Sequence, residues 1–125
     1  MSEFVSYLHE VFERLGAVQT RRMFGGHGVY REGLMFGLVA DDVLYLKVDA
    51  ESLPRFAARG CRPFEYGKGD KLTQMSYYSA PGEIFEDPDE AQVWGALAFA
   101  AAVRSRASKP GKRAVRTRKK AAGTQ

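Results

Sequence analysis

The sequence predicts an α+β domain: a two-layer α/β sandwich, α-β-β-β-α-β-β-α, with helices on one face of a five-stranded antiparallel sheet. Three observations predict it. Apolar residues near both ends recur with the helical period of 3.6. Between them lie short apolar runs separated by tight-turn sequences, one alternating with period two. A strong helix-start signature stands at Asp87-Pro88-Asp89-Glu90.

Phe4, Tyr7, Leu8, Val11, Phe12 and Leu15 form one apolar stripe, which predicts a helix over residues 3–15 with Ser2 as N-cap and Gly16 as the stop. Three extended segments follow, at residues 23–30, 34–40 and 43–49. In the third, Leu44, Leu46 and Val48 alternate with Val43, Tyr45 and Lys47, as in a half-buried strand. Arg31-Glu32-Gly33 and Asp41-Asp42 read as the turns of an antiparallel meander. Gly25, Gly26 and Gly28 would weaken an ordinary strand, so they predict a bulge or a close approach of backbones.

Residues 52–59 read as a short helix closed by Gly60, with Pro54 in its first turn. Strands are expected at 62–66 and 75–80, joined by a polar loop at 67–71. In the last helix Asp87 is the N-cap and Pro88 the first helical residue, while the early acids face the helix dipole. Val93, Trp94, Leu97, Ala98 and Ala101 are its expected buried stripe, running to about residue 107. Beyond Lys109-Pro110-Gly111 only Val115 is large and apolar, too little to offset the entropy of ordering. The expected organisation is therefore one domain, 1–107, and a disordered basic tail, 108–125.

Charge is distributed unevenly. The chain of 125 residues holds 19 basic and 15 acidic side chains, and from Arg104 onward there are nine basic residues and no acid. Residues 1–103 therefore carry ten bases against fifteen acids, a mildly acidic body at −5. No apolar run approaches the roughly 18 residues of a membrane span. Met1-Ser2-Glu3-Phe4 lacks the basic-then-apolar order of a signal peptide, and the lone Cys61 excludes an internal disulfide and a cysteine zinc cluster. The protein reads as cytoplasmic, with no membrane partner.

No residue set carries a catalytic reading. Cys61 sits at a helix-to-strand junction and reads as a small core residue, while His9 and His27 have no orienting partner in the pattern. Asp41, Asp42 and Asp49 lack a regular oxygen-ligand spacing, so neither metal nor cofactor is expected. Gly25-Gly26-His27-Gly28 runs into Val29-Tyr30, a strand, whereas a phosphate cradle needs a following helix. Met23, Gly25, Gly26, Gly28, Tyr30 and Gly33 are accordingly structural. Arg21, Arg22 and Phe24 form the candidate interaction loop, where paired arginines could grip a carboxylate or phosphate. Lys109, Lys112, Arg113, Arg116, Arg118, Lys119 and Lys120 form the candidate nucleic-acid contact, electrostatic and without sequence reading. No aromatic residue follows Phe99, so stacking on bases by the tail is not supported.

The stretch Arg22-Met-Phe-Gly-Gly-His-Gly-Val-Tyr-Arg-Glu-Gly-Leu-Met-Phe-Gly-Leu-Val-Ala-Asp-Asp-Val-Leu-Tyr-Leu-Lys-Val-Asp49 closely resembles the N-terminal domain of the TfoX (Sxy) family, regulators of bacterial competence genes. The likeness extends through Arg62-Pro63-Phe64-Glu65-Tyr66 and Met75-Ser76-Tyr77-Tyr78 and covers residues 3–105. Its matching motif residues are Met23, Phe24, Gly25, Gly26, Gly28, Tyr30, Gly33, Phe36, Gly37, Asp42, Leu44, Tyr45 and Lys47. The resemblance implies a secretion-chaperone-like fold and a non-enzymatic transcriptional co-regulator acting with the cyclic-AMP receptor protein. Longer members carry a second, helix-hairpin-helix-like domain; here the basic tail stands in that place, and the resemblance implies a stand-alone member.

The expected function is thus a regulatory module that binds a protein partner through its domain and nucleic acid loosely through its tail. The alternative is a small-ligand-binding or enzymatic domain using a cleft near Arg21, Arg22 and residues 25–28. A homodimer formed through an exposed sheet edge is a third reading.

Overall fold

The structure is a computed structural model that describes residues 3–23, 25–66 and 73–108. Ser2, Phe24, the loop expected at 67–71 and the tail cations from Lys109 to Lys120 lie outside the described residues. Helix α1 spans Glu3–Val11, followed by strands β1 (Gln19–Met23), β2 (Gly26–Arg31), β3 (Leu34–Ala40) and β4 (Val43–Lys47). Helix α2 (Leu53–Ala58), strands β5 (Pro63–Tyr66) and β6 (Thr73–Ser79), a 3₁₀ turn (Gly82–Phe85) and helix α3 (Pro88–Ser108) follow among the described residues. All pairings are antiparallel, in the spatial order β1-β2-β3-β4-β6-β5.

The α+β class and the antiparallel sheet agree with the sequence, but the sheet has six strands rather than five. The additional strand is β1, where Arg21 and Arg22 stand; they belong to a sheet edge, not to a loop. Gln19-Thr20-Arg21-Arg22-Met23 has no alternating apolar residues because an edge strand needs no buried side, so the periodicity search passes over it. The segment expected at residues 23–30 is consequently two strands. Met23 pairs with Gly26 across a hairpin turn in which Gly25 takes φ 77°, a left-handed conformation suited to glycine.

Two more turns follow the sequence closely. Glu32 and Gly33 (φ 52° and 81°) and Asp41 and Asp42 (φ 52° and 59°) each carry two positive φ values, the hairpin geometry whose twist matches the flanking strands. Gly26 is fixed by crowding, since a Cβ there would stand 2.1 Å from the Val39 carbonyl oxygen.

A register shift follows Val29: Val29 opposes Gly37, and Tyr30 opposes Met35. Phe36 is the extra residue of this bulge and is fully buried. Its ring meets Phe12 edge-on at 5.5 Å and Phe99 at 6.4 Å, which fastens the sheet to the segment after α1 and to α3. Cross-strand register places Thr20, Val29, Gly37, Leu46 and Tyr78 in one row, and Val29 and Leu46 there belong to one cluster with Leu8, Phe12, Phe56 and Trp94. Arg21, Gly28, Leu38, Tyr45 and Ser79 form the row on the opposite, second face. Leu38 and Tyr77, on that second face, are buried yet outside the main cluster.

The helices correct the expected stripes by small rotations. In α1 it is Val5, Leu8 and Val11 that face the core, continued by Phe12 and Leu15 in the turns after the regular helix. Tyr7 sits at the rim, 41% exposed, where its hydroxyl donates to the Phe85 carbonyl at 3.2 Å. In α3, Ala91, Trp94, Gly95, Ala98, Ala101 and Ala102 are buried, and Val93 points outward. Asp87 caps α3 as expected, accepting from the Asp89 N–H at 2.9 Å.

Candidate functional site

Two of the residues singled out for interaction, Arg21 and Arg22, are placed side by side at the sheet margin. Strand β1 pairs only with β2 among the described residues, so one of its edges is open. In an antiparallel hairpin with a two-residue loop, hydrogen-bonded and non-bonded pairs alternate outward from the turn. Counting from the Met23–Gly26 pair, the main-chain N–H and C=O of Thr20 and Arg22 face the open edge. The side chains alternate as well, Arg21 on the second face and Arg22 on the helix face.

Both arginines are exposed, and neither makes an ion pair among the described residues. Arg21 lies over the Tyr30 ring, its guanidinium carbon 5.2 Å from the centroid. Arg22 stands across from His27, in a row that continues through Val39 to Leu44. His27 Nε2 is buried without a hydrogen-bond partner among the described residues.

The glycine segment is architecture. A Cβ on Gly28 would meet the sulfurs of Met35 and Met23 at 2.8 and 2.9 Å and the Tyr30 ring at 2.9 Å. The space beside Gly28 is therefore filled by this protein's own side chains. Among the described residues, one groove is lined by Tyr7, Glu10, Glu13, Phe85, Glu86 and Asp87, and another by Lys47, Asp49, Ser76, Arg104 and Ser105. Neither includes Arg21, Arg22 or residues 25–28.

Tyr77, paired with Lys47 on the second face, has its hydroxyl pushed up to about 12 by burial, with Tyr30 adding to the effect. Burial likewise raises the Cys61 thiol above its ordinary value, with Glu83 opposing the thiolate further. A thiol so placed is a poor nucleophile at neutral pH. No group of three or more His, Cys, Asp or Glu side chains placed to hold a metal ion occurs among the described residues. No described helix is long and apolar enough to cross a membrane.

One charged arrangement escaped the sequence. Arg104 was counted there with the tail cations, yet it lies on α3 and grips Asp49 with two bonds, Nε to Oδ2 at 2.6 Å and Nη2 to Oδ1 at 3.0 Å. Asp49 Oδ1 also accepts from the N–H groups of Glu51 and Ser52, both at 3.1 Å, and so caps the turn into α2. The available signal was Asp49 three residues before Ser52, a turn-forming spacing, although its partner 55 residues away leaves no local trace.

A family model described as the TfoX N-terminal domain matches residues 10–102. The chain belongs to that family. A relative, the DNA transformation protein TfoX1 of Aliivibrio fischeri (strain ATCC 700601 / ES114), is 36% identical over 86 residues, 66% of this chain and 41% of that protein. The chain thus spans about two fifths of that relative's length. The matched span contains the TfoX hairpin of β1 and β2, the bulge at Phe36 and most of α3.

Proposed function

We propose that this TfoX N-terminal domain is a non-enzymatic regulatory module of DNA transformation, working in the cytoplasm. It engages a protein of the transcription machinery through the folded body, and residues 108–125 add loose contact with nucleic acid. The observation that carries this reading is the 36% identity to a protein named for DNA transformation. The charge asymmetry supports the division of labour, because the acidic body and the basic tail suit different partners. The alternative of a small-ligand cleft is weakened by the filled space beside Gly28 and by the position of Arg21 and Arg22 on an edge.

The test is genetic and uses the native cell. Deleting the gene should lower transformation frequency and the transcripts of DNA-uptake genes by about tenfold or more. The full chain should restore both, and a chain ending at residue 108 should restore them in part. Unchanged uptake transcripts in the deletion strain would refute the regulatory reading.

A further inference from the structure

We infer that the open edge of β1 is a docking site for an extended, acidic peptide segment of a partner protein, which adds to the sheet as a seventh strand. The inference rests on the proposed regulatory role and names the surface and the partner chemistry that role would use.

The two margins of the sheet are built differently. The β5 margin contains Pro63, which has no N–H to offer an incoming strand, the usual means of closing an edge. The β1 margin contains no proline and turns the N–H and C=O of both Thr20 and Arg22 outward. That is a repeating donor-and-acceptor pattern, complementary to another peptide backbone. A DNA backbone supplies acceptors alone and would leave the two outward carbonyls unmatched, and the 2′-hydroxyls of RNA do not repeat at the spacing of a strand's paired donors and acceptors.

Charge selects the partner. Gln19-Thr20-Arg21-Arg22-Met23 carries two cations and no acid, one cation on each face of the sheet. A second copy paired antiparallel about the middle of β1 would set Arg21 against Arg21, and like charges directly opposite destabilise a strand pair. Acidic residues on an added strand would instead meet Arg21 on one face and Arg22 on the other. Because neighbouring residues of a strand point to opposite faces, consecutive acids satisfy both. The stacking of Arg21 on Tyr30 holds one of these cations in place before the partner arrives.

The experiment uses the full chain as bait for a displayed library of random ten-residue peptides, followed by amide exchange and affinity measurements on the enriched peptides. The expected result is enrichment of acidic, strand-forming sequences, with slowed exchange at the Thr20 and Arg22 amides on binding. The double variant Arg21→Glu, Arg22→Glu should weaken these peptides at least tenfold while keeping its melting temperature. Thr20→Pro, which removes one outward donor at an edge position where proline is tolerated, should weaken them without any change in charge. No enrichment, peptides without net acid, protection elsewhere on the sheet, or protection of the same amides by a second copy or by a single-stranded oligonucleotide would each overturn the proposal. The genetic test separates the two claims. Loss of uptake transcripts with no peptide at β1 leaves the regulatory role and removes the docking site. A peptide at β1 with normal transcripts does the reverse.

Discussion

At Asp49 a single carboxylate serves two elements: it caps the turn into α2 and anchors α3 through Arg104. The bidentate bond from Arg104 outweighs the opposing effect of burial and holds the carboxyl at about 2, against an ordinary 3.8. A carboxyl lowered in the folded state stabilises that state above its unfolded pKa and loses the contribution as pH falls through the folded one. The stabilisation is therefore complete above about pH 4 and fades toward about pH 2. Arg104→Met should return the Asp49 titration most of the way to 3.8 and flatten the fall in Tm across that window. Carbon-detected NMR of the carboxyl gives the midpoint directly, and an unmoved midpoint in the variant would show that the turn N–H bonds, not Arg104, set it.

The segment after α1 and helix α3 approach so closely at Gly95 that a methyl group there decides the sign of a substitution. In an open helix Gly→Ala gains about 1 kcal/mol from propensity. At Gly95 the added Cβ would lie 2.9 Å from Leu15 Cδ2 and 3.1 Å from the fully buried Phe12 ring, and overpacking of this kind costs about 1–3 kcal/mol. Gly95→Ala should thus lower stability by roughly 1 kcal/mol. Val93→Ala, two residues earlier and 48% exposed, should stay within about 0.5 kcal/mol of the parent. Thermal melts of the two variants check the pair, and a rise in Tm for Gly95→Ala would mean that Phe12 and Leu15 can give way without loss. The same scale explains what the sequence disclosed. Strands β3 and β4, the turns at Glu32-Gly33 and Asp41-Asp42, and the start of α3 at Asp87 were legible because propensity, period and cap agree locally. Strand β1 was not, since its pairing comes from β2 rather than from any pattern in its own five residues. The arginines were therefore recognised by type but misplaced by element, and their open edge became visible only with the register.

Across the whole molecule, charge is more consequential than any single contact. Surface pairs such as Arg14 with Asp89 and Arg59 with Glu83 are exposed and contribute little each. The body nonetheless carries an excess of acids, fifteen against ten bases over residues 1–103, which repels nucleic acid. Of the nine cations from Arg104 onward, Arg104 is committed to Asp49, and Arg106 belongs to α3. Seven remain in residues 109–125 as the candidate contact. If about six of them meet phosphates, the logarithm of duplex affinity should fall with the logarithm of salt at a slope near −5. A chain ending at residue 108 should lose nearly all affinity at 50 mM salt, because what is left is the acidic body. Arg21→Glu with Arg22→Glu should change the slope by less than about 1, which separates the contact proposed for residues 109–125 from the β1 edge. Fluorescence anisotropy over a salt series gives all three slopes, and a truncated chain that binds duplex as the full chain does would move nucleic-acid contact from the tail to the folded body.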